Sequence, residues 1–363
     1  MMTRIEKVCA AMRMANVDSL ALVPGANLLY LLGLTIHQSE RLAVAFVDQA
    51  GNLGIVLPAL EQPRAEAEAR VPVRFYPWHD AEGYDQALRR CVHEMEIEGA
   101  LAVEYTAMRV LELRAIEAAA TVEVRDATDV IAQQRMSKDA DELAAMRAAV
   151  QAAEAGLREA INFMRPGVTE RDVAEVWERA MRAAGSEATS FTTIVAGGPN
   201  SANPHHTTSD RPLQPGDLVI LDGGARVGGY VSDITRTVAI GEPSDEARRI
   251  YDLVLRANRA GIAAVQPGAS GAAIDAAARE VIEAAGYGEY FIHRTGHGIG
   301  IEIHEPPYVH SNSTDPLPLG ATFTVEPGVY VPGVGGVRIE DDVALTEQGA
   351  EVLTTFGREL IVR

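Results

Sequence analysis

Leu221–Thr237 reads LDGGARVGGYVSDITRT: two strand-like segments, each carrying an aspartate, joined through a pair of glycines. In an antiparallel hairpin the numbers of cross-strand partners have a constant sum, so a turn centred between Val227 and Gly228 sets Asp222 opposite Asp233. The same construction on ATFTVEPGVYV and GGVRIEDDVALT, centred at Gly333, sets Glu326 opposite Glu340. Like charges facing each other destabilise a sheet, and desolvation within apolar strands adds roughly 2–7 kcal/mol for each unsatisfied group. Ion pairs with Arg236 and Arg338, or a proton shared between carboxyls, would neutralise one such pair. Two pairs in one domain, plus a histidine set among glycines, favour divalent cations, because four carboxylates and one neutral imidazole balance two M²⁺ ions.

That histidine comes from HRTGHGIGIEIHEPP, His293–Pro307, which holds three of the nine histidines of the chain. His297 sits in TGHGIG, where glycine is expected to let the backbone approach the ions closely, and His304 is left free for another role. Two ions held about 3.5–4 Å apart by bridging carboxylates can share a water, make hydroxide available at neutral pH and polarise a carbonyl. A mostly oxygen ligand set with one nitrogen suits manganese, cobalt or zinc better than a thiolate-seeking ion.

Around these motifs the chain reads as two domains, as its 363 residues suggest. Short apolar runs (SLALV, LAVAFV, GIVLP) alternate with helical stretches in the first third, which indicates a small α/β domain over residues 1–133. From residue 134 the texture changes to long helices and strands. MSKDADELAAMRAAVQAAEAGLREAINFM reads as a helix with Ser137 as N-cap. RPGVTERDVAEVWERAMRAAG, capped by Thr169 and ended by Gly185, is echoed by QPGASGAAIDAAAREVIEAAGYG, closed by Gly286, and the echo suggests a duplicated helix-and-sheet unit.

Composition narrows the function classes. The chain is 47% hydrophobic and 23% charged, as a folded globule is, but its net charge is −19. So acidic a surface repels phosphate backbones and anionic lipid, so no nucleic acid and no membrane is expected as a partner. LALVPGANLLYLLGL is broken by Pro24, Gly25 and Asn27 and is too short to span a bilayer. The N-terminus looks like a first helix rather than an export signal, and Cys9 and Cys91 have no CxxC spacing, so a cytoplasmic protein with reduced thiols is expected.

Taken together, NPHHTTSD, LDGGARVGGYVSDITRT, HRTGHGIGIEIHEPP, VEPGVY and GGVRIEDD resemble, in order and spacing, the motifs of the creatinase-like pita-bread metallopeptidases, within them the prolidase and Xaa-Pro aminopeptidase group. The resemblance covers the whole C-terminal domain and, less distinctively, the smaller N-terminal one. It implies an α/β (α+β) chain: a creatinase/prolidase-like N-terminal domain, then a pseudo-duplicated pita-bread domain with a curved antiparallel sheet. It makes Asp222, Asp233, His297, Glu326 and Glu340 ligands of two divalent ions, manganese first and cobalt or zinc next. Glu326 doubles as acid/base, His205 and His304 bind substrate or stabilise the oxyanion, and His293, Tyr330 and Arg338 line the substrate pocket. The implied enzyme is a homodimer, with His37 or its neighbours reaching the partner's pocket, that cleaves the Xaa-Pro bond of dipeptides or short peptides. The alternatives are a metal-using hydrolase of another small amidic substrate, as creatinase suggests, and a non-catalytic peptide-binding module.

Overall fold

The computed structural model describes residues 2–363. By its internal contacts the chain divides between Arg135 and Met136, whereas the change of sequence texture suggested a boundary at residue 133. In the first unit a mixed six-stranded sheet runs in the order Arg74–Trp78, Leu53–Pro58, Val44–Asp48, Ser19–Leu22, Gly99–Val103, Val122–Asp126. Its central strands are mostly apolar and are buried along nearly all their length, as two-sided cover demands. Cys9 and Cys91 are both buried, and burial pushes the Cys91 thiol up to about 12, so neither offers a thiolate at neutral pH.

The second unit, Met136–Arg363, is built twice over. In its first half the helices Ala140–Phe163 and Glu170–Ala183 pack on a sheet ordered Ile361–Val362, Ile234–Ala239, Leu218–Gly223, Ile194–Gly197. In its second half the helices Asp245–Ala263 and Gly271–Ala284 accompany a sheet ordered Glu305–Val309, Gly296–Gly298, Thr322–Val325, Asp341–Thr346, Gly349–Val352. The echo in the sequence has a structural counterpart. Thr169 and Ser270 each cap the second helix of their half, accepting from Asp172 N at 3.1 Å and Ala273 N at 3.2 Å. Each also forms a single β-bridge with a proline, Thr169 with Pro212 and Ser270 with Pro316. Trp177 anchors the first half: it is fully buried, with its indole N–H donating to Ala153 O at 3.0 Å, and truncating a core indole of this kind costs about 3–5 kcal/mol.

A two-stranded ribbon, Gly328–Val331 with Gly335–Arg338, joins the halves. Arg338 N donates to Thr237 Oγ1 at 3.1 Å and Glu340 N to Thr235 O at 3.1 Å, so the second acidic hairpin lies directly along the first. The register of that second hairpin is the expected one. Gly328 faces Arg338 and Val325 faces Asp341, so both flanking pairs share the sum that sets Glu326 opposite Glu340 around Gly333.

Two expectations are corrected. Asp222 faces Thr235, not Asp233, because Gly228 and Gly229 both take left-handed φ (60° and 82°) and form the two-residue turn together, which moves the centre one residue on. Partners therefore shift by two positions, which keeps Asp233 on the same face as a diagonal neighbour. Ser137 is not the N-cap of the long helix. Asp139 is, accepting from Asp141 N at 3.0 Å and Glu142 N at 2.9 Å with Glu142 returning the bond, while Ser137 bridges Ala321. The glycines around His297 are required by the sheet: a Cβ on Gly296 would lie 1.8 Å from Thr324 O, and one on Gly298 would lie 2.3 Å from Glu305 O.

Candidate metal centre and active site

The two hairpins and the strand Gly296–Gly298 converge on a cavity of about 380 Å³ lined by Asp222, Asp233, His297, Glu326 and Glu340. Asp233, His297 and Glu340 each offer a ligand atom within 4.8 Å of the others. His297 Nε2 lies 3.4 Å from Glu326 Oε1 and 3.7 Å from Asp233 Oδ2. The imidazole is oriented from behind: Nδ1 donates to Gly298 O at 3.1 Å, which leaves the Nε2 lone pair facing the acids. Burial, with His304 alongside, lowers His297 to about 3, so it stays a neutral donor of that lone pair.

Neutralisation of the acids by arginine is incomplete, and the gaps are informative. Arg236 spends its donors on Asp341, on Thr235 O and Glu340 O, and on the carbonyls of Phe356 and Gly357, so it leaves the Glu340 carboxylate alone. Arg338 reaches Asp222 Oδ2 only. Among the described residues, Asp222 Oδ1, Asp233 Oδ1 and Glu340 Oε1 are buried with no hydrogen-bond partner. A buried carboxylate oxygen left bare is strongly unfavourable unless a cation or a proton meets it. Without a cation a proton does: burial first, then the neighbouring carboxylates, raise Asp233 and Glu340 far above the usual carboxylate range. Glu326 is pushed up to about 7 by burial, with Arg338 opposing. One bare oxygen on each of three acids, together with a directed imidazole lone pair, fits a hard divalent cation.

Behind this centre runs a directed chain. His293 Nδ1 donates to Arg294 O at 2.7 Å, so its Nε2 accepts the Tyr330 hydroxyl at 2.9 Å, and the Tyr330 oxygen accepts from Arg338 Nη1 at 2.8 Å. Arg338 also donates to Thr235 Oγ1 at 3.2 Å, and that hydroxyl donates to Glu340 Oε2 at 2.6 Å. Of the three residues expected to line the pocket, His293 and Arg338 do so, whereas Tyr330, 4% exposed, stands behind the wall and orients them. Burial and Arg338 lower His293 to about 4, which suits its role as an acceptor.

His205 and His304 also line the cavity, and the His304 ring meets that of His297 edge to face at 4.2 Å. The fold holds each from a neighbouring residue. Beside His205, His206 Nε2 lies 2.9 Å from Glu170 Oε2. Glu170 is fully buried and also accepts from Gly197 N, Asn200 Nδ2, Ser209 N and Ser209 Oγ, at 2.6–3.0 Å, which folds the whole 197–209 loop around it. Beside His304, Glu305 is buried against Lys138 Nζ at 2.7 Å. A Cβ on Gly300 would lie 2.6 Å from Glu305 Oε1 and 2.8 Å from Lys138 Cε, so the turn between His297 and His304 closes directly over this pair. Phe191, Ile194, Pro204, Ile303 and Arg294 complete the wall.

A family model described as "Metallopeptidase family M24" matches residues 144–347, more than half of the chain, and one described as "Creatinase/Prolidase N-terminal domain" matches residues 4–137. The chain belongs to metallopeptidase family M24. Its two-domain α/β architecture, with a creatinase-type N-terminal domain and a pita-bread domain, and its standing as a metallopeptidase hydrolase follow from that membership, which also implies divalent metal ions. It is 36% identical to the Xaa-Pro dipeptidase of Pyrococcus furiosus over 99% of this chain and 100% of that protein. It is 38% identical to the probable dipeptidase PepE of Mycobacterium tuberculosis, over 99% and 96%. Among solved structures, a dipeptidase from Pyrococcus horikoshii superposes with a TM-score of 0.94 at 39% identity, covering 99% of this chain and 100% of that one. An X-Pro aminopeptidase from Thermotoga maritima gives 0.86 at 34% identity, over 98% and 100%. Among the described residues no helix is long and apolar enough to cross a membrane.

Proposed function

We propose that this M24 metallopeptidase hydrolyses the Xaa-Pro bond at the N-terminus of dipeptides or short peptides, with Asp222, Asp233, His297, Glu326 and Glu340 holding two divalent ions. The observation that carries the reading is the set of buried acids with which two adjoining hairpins line the cavity, three of which keep one oxygen without a protein partner. When bound, such ions supply Lewis-acid chemistry, acidifying a water and polarising the carbonyl it attacks.

The residues of the chain do the rest. Glu326, a cavity-lining carboxylate whose Oε1 lies 3.4 Å from His297 Nε2, is placed to take and return a proton during the reaction. His304, kept neutral by burial and by Arg294 close by, donates to the oxygen on which charge develops, a contribution of about 3–4 kcal/mol for a well-placed donor. His205 faces the same space and binds substrate. The apolar wall of Phe191, Ile194, Pro204 and Ile303 suits a pyrrolidine ring, which brings no N–H to satisfy. Tyr330 and Arg338 fix Asp222 and His293 from behind. The same reading takes manganese ahead of cobalt or zinc, a homodimer as the assembly and the cytoplasm as the compartment.

Metal-loaded protein is incubated with Ala-Pro, Ala-Pro-Ala, Ala-Ala and creatine, and the products are identified. Cleavage before proline is expected. Cleavage of Ala-Pro alone selects a dipeptidase, release of alanine from the tripeptide selects an aminopeptidase, and failure on both proline peptides refutes the reading.

A further inference from the structure

The two acidic hairpins differ in one respect. In the first, the ladder runs without a gap from Leu218 opposite Ala239 to Gly223 opposite Ile234. In the second it stops at Val325 opposite Asp341 and resumes at Gly328 opposite Arg338, so Glu326, Pro327, Ile339 and Glu340 lie in a break. Pro327 accounts for the break. At this register it faces Ile339, and a hydrogen-bonded antiparallel pair exchanges two backbone bonds. Ile339 N still reaches Pro327 O, at 3.5 Å, but the return bond cannot form because proline has no N–H. The Ile339 carbonyl, directly before Glu340, is left without its ladder donor.

Asn258 supplies that donor. It lies on the helix Asp245–Ala263, is fully buried, and its Nδ2 donates to Ile339 O at 3.2 Å, to Val325 O at 3.0 Å and to Asp341 Oδ2 at 3.0 Å. All three partners are acceptors, so the amide fits only with its nitrogen toward the hairpin. Its Oδ1 is buried with no partner among the described residues, so the side chain is placed for its donors alone. Asp341 fixes the amide in turn: its Oδ1 accepts from Arg236 and Thr354 at 2.8 and 2.7 Å, and its Oδ2 also accepts from Arg358 at 2.6 Å. The backbone N–H of each glutamate is bonded outward, Glu326 to Thr295 O at 2.8 Å and Glu340 to Thr235 O at 3.1 Å. Among the described residues, the Asn258 amide and the long Ile339–Pro327 bond are therefore the hydrogen bonds that join the strands across the break.

We propose that Asn258 is a positioning residue for the metal centre: by bridging the carbonyls directly before Glu326 and Glu340 it sets the separation of the two carboxylates, and with it the capacity of the cavity for a second ion. It acts through the backbone and touches no ligand atom. The proposal rests on the two-ion reading above and deepens it by naming the residue that governs the pairing.

Asn258→Leu keeps the volume and removes the donors. Wild type and variant are titrated with Mn²⁺ by calorimetry, and the proteins loaded with two equivalents are compared by electron paramagnetic resonance, in which ions that share ligands give an exchange-coupled spectrum and an isolated ion a simple hyperfine pattern. Groups that orient metal ligands change metal affinity by roughly 10- to 100-fold. Asn258→Leu is expected to lose that factor on the second Mn²⁺, to keep the first, and to show the isolated-ion spectrum. Pro327→Ala puts an N–H back at the break, so Asn258→Leu with Pro327→Ala is expected to regain much of the second affinity and the coupled spectrum, a rescue that a side chain merely filling the core would not show. Where Asn258→Leu does not fold, Asn258→Ser, too short to span both carbonyls, takes its place with the same expectations. Unchanged affinity for both ions, or a loss that Pro327→Ala leaves untouched, overturns the proposal, while a coupled pair in the wild type still upholds the reading beneath it. A wild type that binds no coupled pair overturns both.

Discussion

Binding of manganese to the metal-free protein is expected to expel protons, because coordination requires carboxylates that the empty site holds partly protonated. Glu326, raised by burial from 4.5 to about 7, is the member whose share can be worked out. With that value it carries about 0.9 of a proton at pH 6, about 0.5 at pH 7 and about 0.1 at pH 8, all of which leaves on coordination. Asp233 and Glu340 are raised as well, by burial and by one another, and add to the count. His297, lowered to about 3, adds nothing because it is already neutral. Apparent affinity therefore rises with pH, by about tenfold per unit for each proton displaced while pH lies below the raised value. Isothermal titration calorimetry with Mn²⁺ at pH 6, 7 and 8, in pairs of buffers that differ in ionisation enthalpy, reads the proton count directly. Release of at least about 0.9 proton at pH 6, declining as pH rises, is the expected result. Identical heats in both buffers at pH 6, or an affinity flat from pH 6 to 8, would refute the argument that these acids are held protonated by burial and by each other.

Other consequences follow from particular side chains. His304→Ala should lower kcat by about two to three decades while metal content, measured by plasma emission, stays near that of wild type; Asp222→Ala should lose metal too. Glu170→Gln keeps the side chain's size but replaces an accepting oxygen by an NH₂ group, in a residue that takes five bonds from the 197–209 loop. Turnover should fall through displacement of His205, and a cycle with His205→Ala should be strongly non-additive, which a merely structural role would not produce. Lys138→Met removes the buried cation that faces the Glu305 carboxylate and should lower unfolding free energy by about 3–5 kcal/mol in urea titrations.

The legible parts of this chain are those governed by counting. A hairpin register is arithmetic once its turn is known. Glu326 and Glu340 were placed correctly because VPGVGG has one natural centre at Gly333, whereas Asp222 was paired two positions off because ARVGGY offers adjacent centres and only the φ angles of Gly228 and Gly229 choose between them. Helix caps behaved similarly: Thr169 stood alone as a candidate and is the cap, while Ser137 competed with Asp139, whose acidic partner three residues on completes a reciprocal pair.

What stayed hidden depends on burial. In sequence Glu170 is an ordinary acidic residue in the first turn of a helix, and nothing there distinguishes a solvated charge from the hub of a loop. Lys138 was visible as one of only two lysines, but its partner Glu305 is 167 positions away.

The central claim is that acids from two adjoining hairpins, with one imidazole, enclose a pair of divalent cations. Anomalous difference density from a crystal grown with Mn²⁺ tests it most directly. Two peaks enclosed by Asp222, Asp233, His297, Glu326 and Glu340, with the bare oxygens of Asp222, Asp233 and Glu340 turned toward them, are expected. Full manganese loading with no peak in this cavity, or with those oxygens hydrogen-bonded to protein instead, would contradict it.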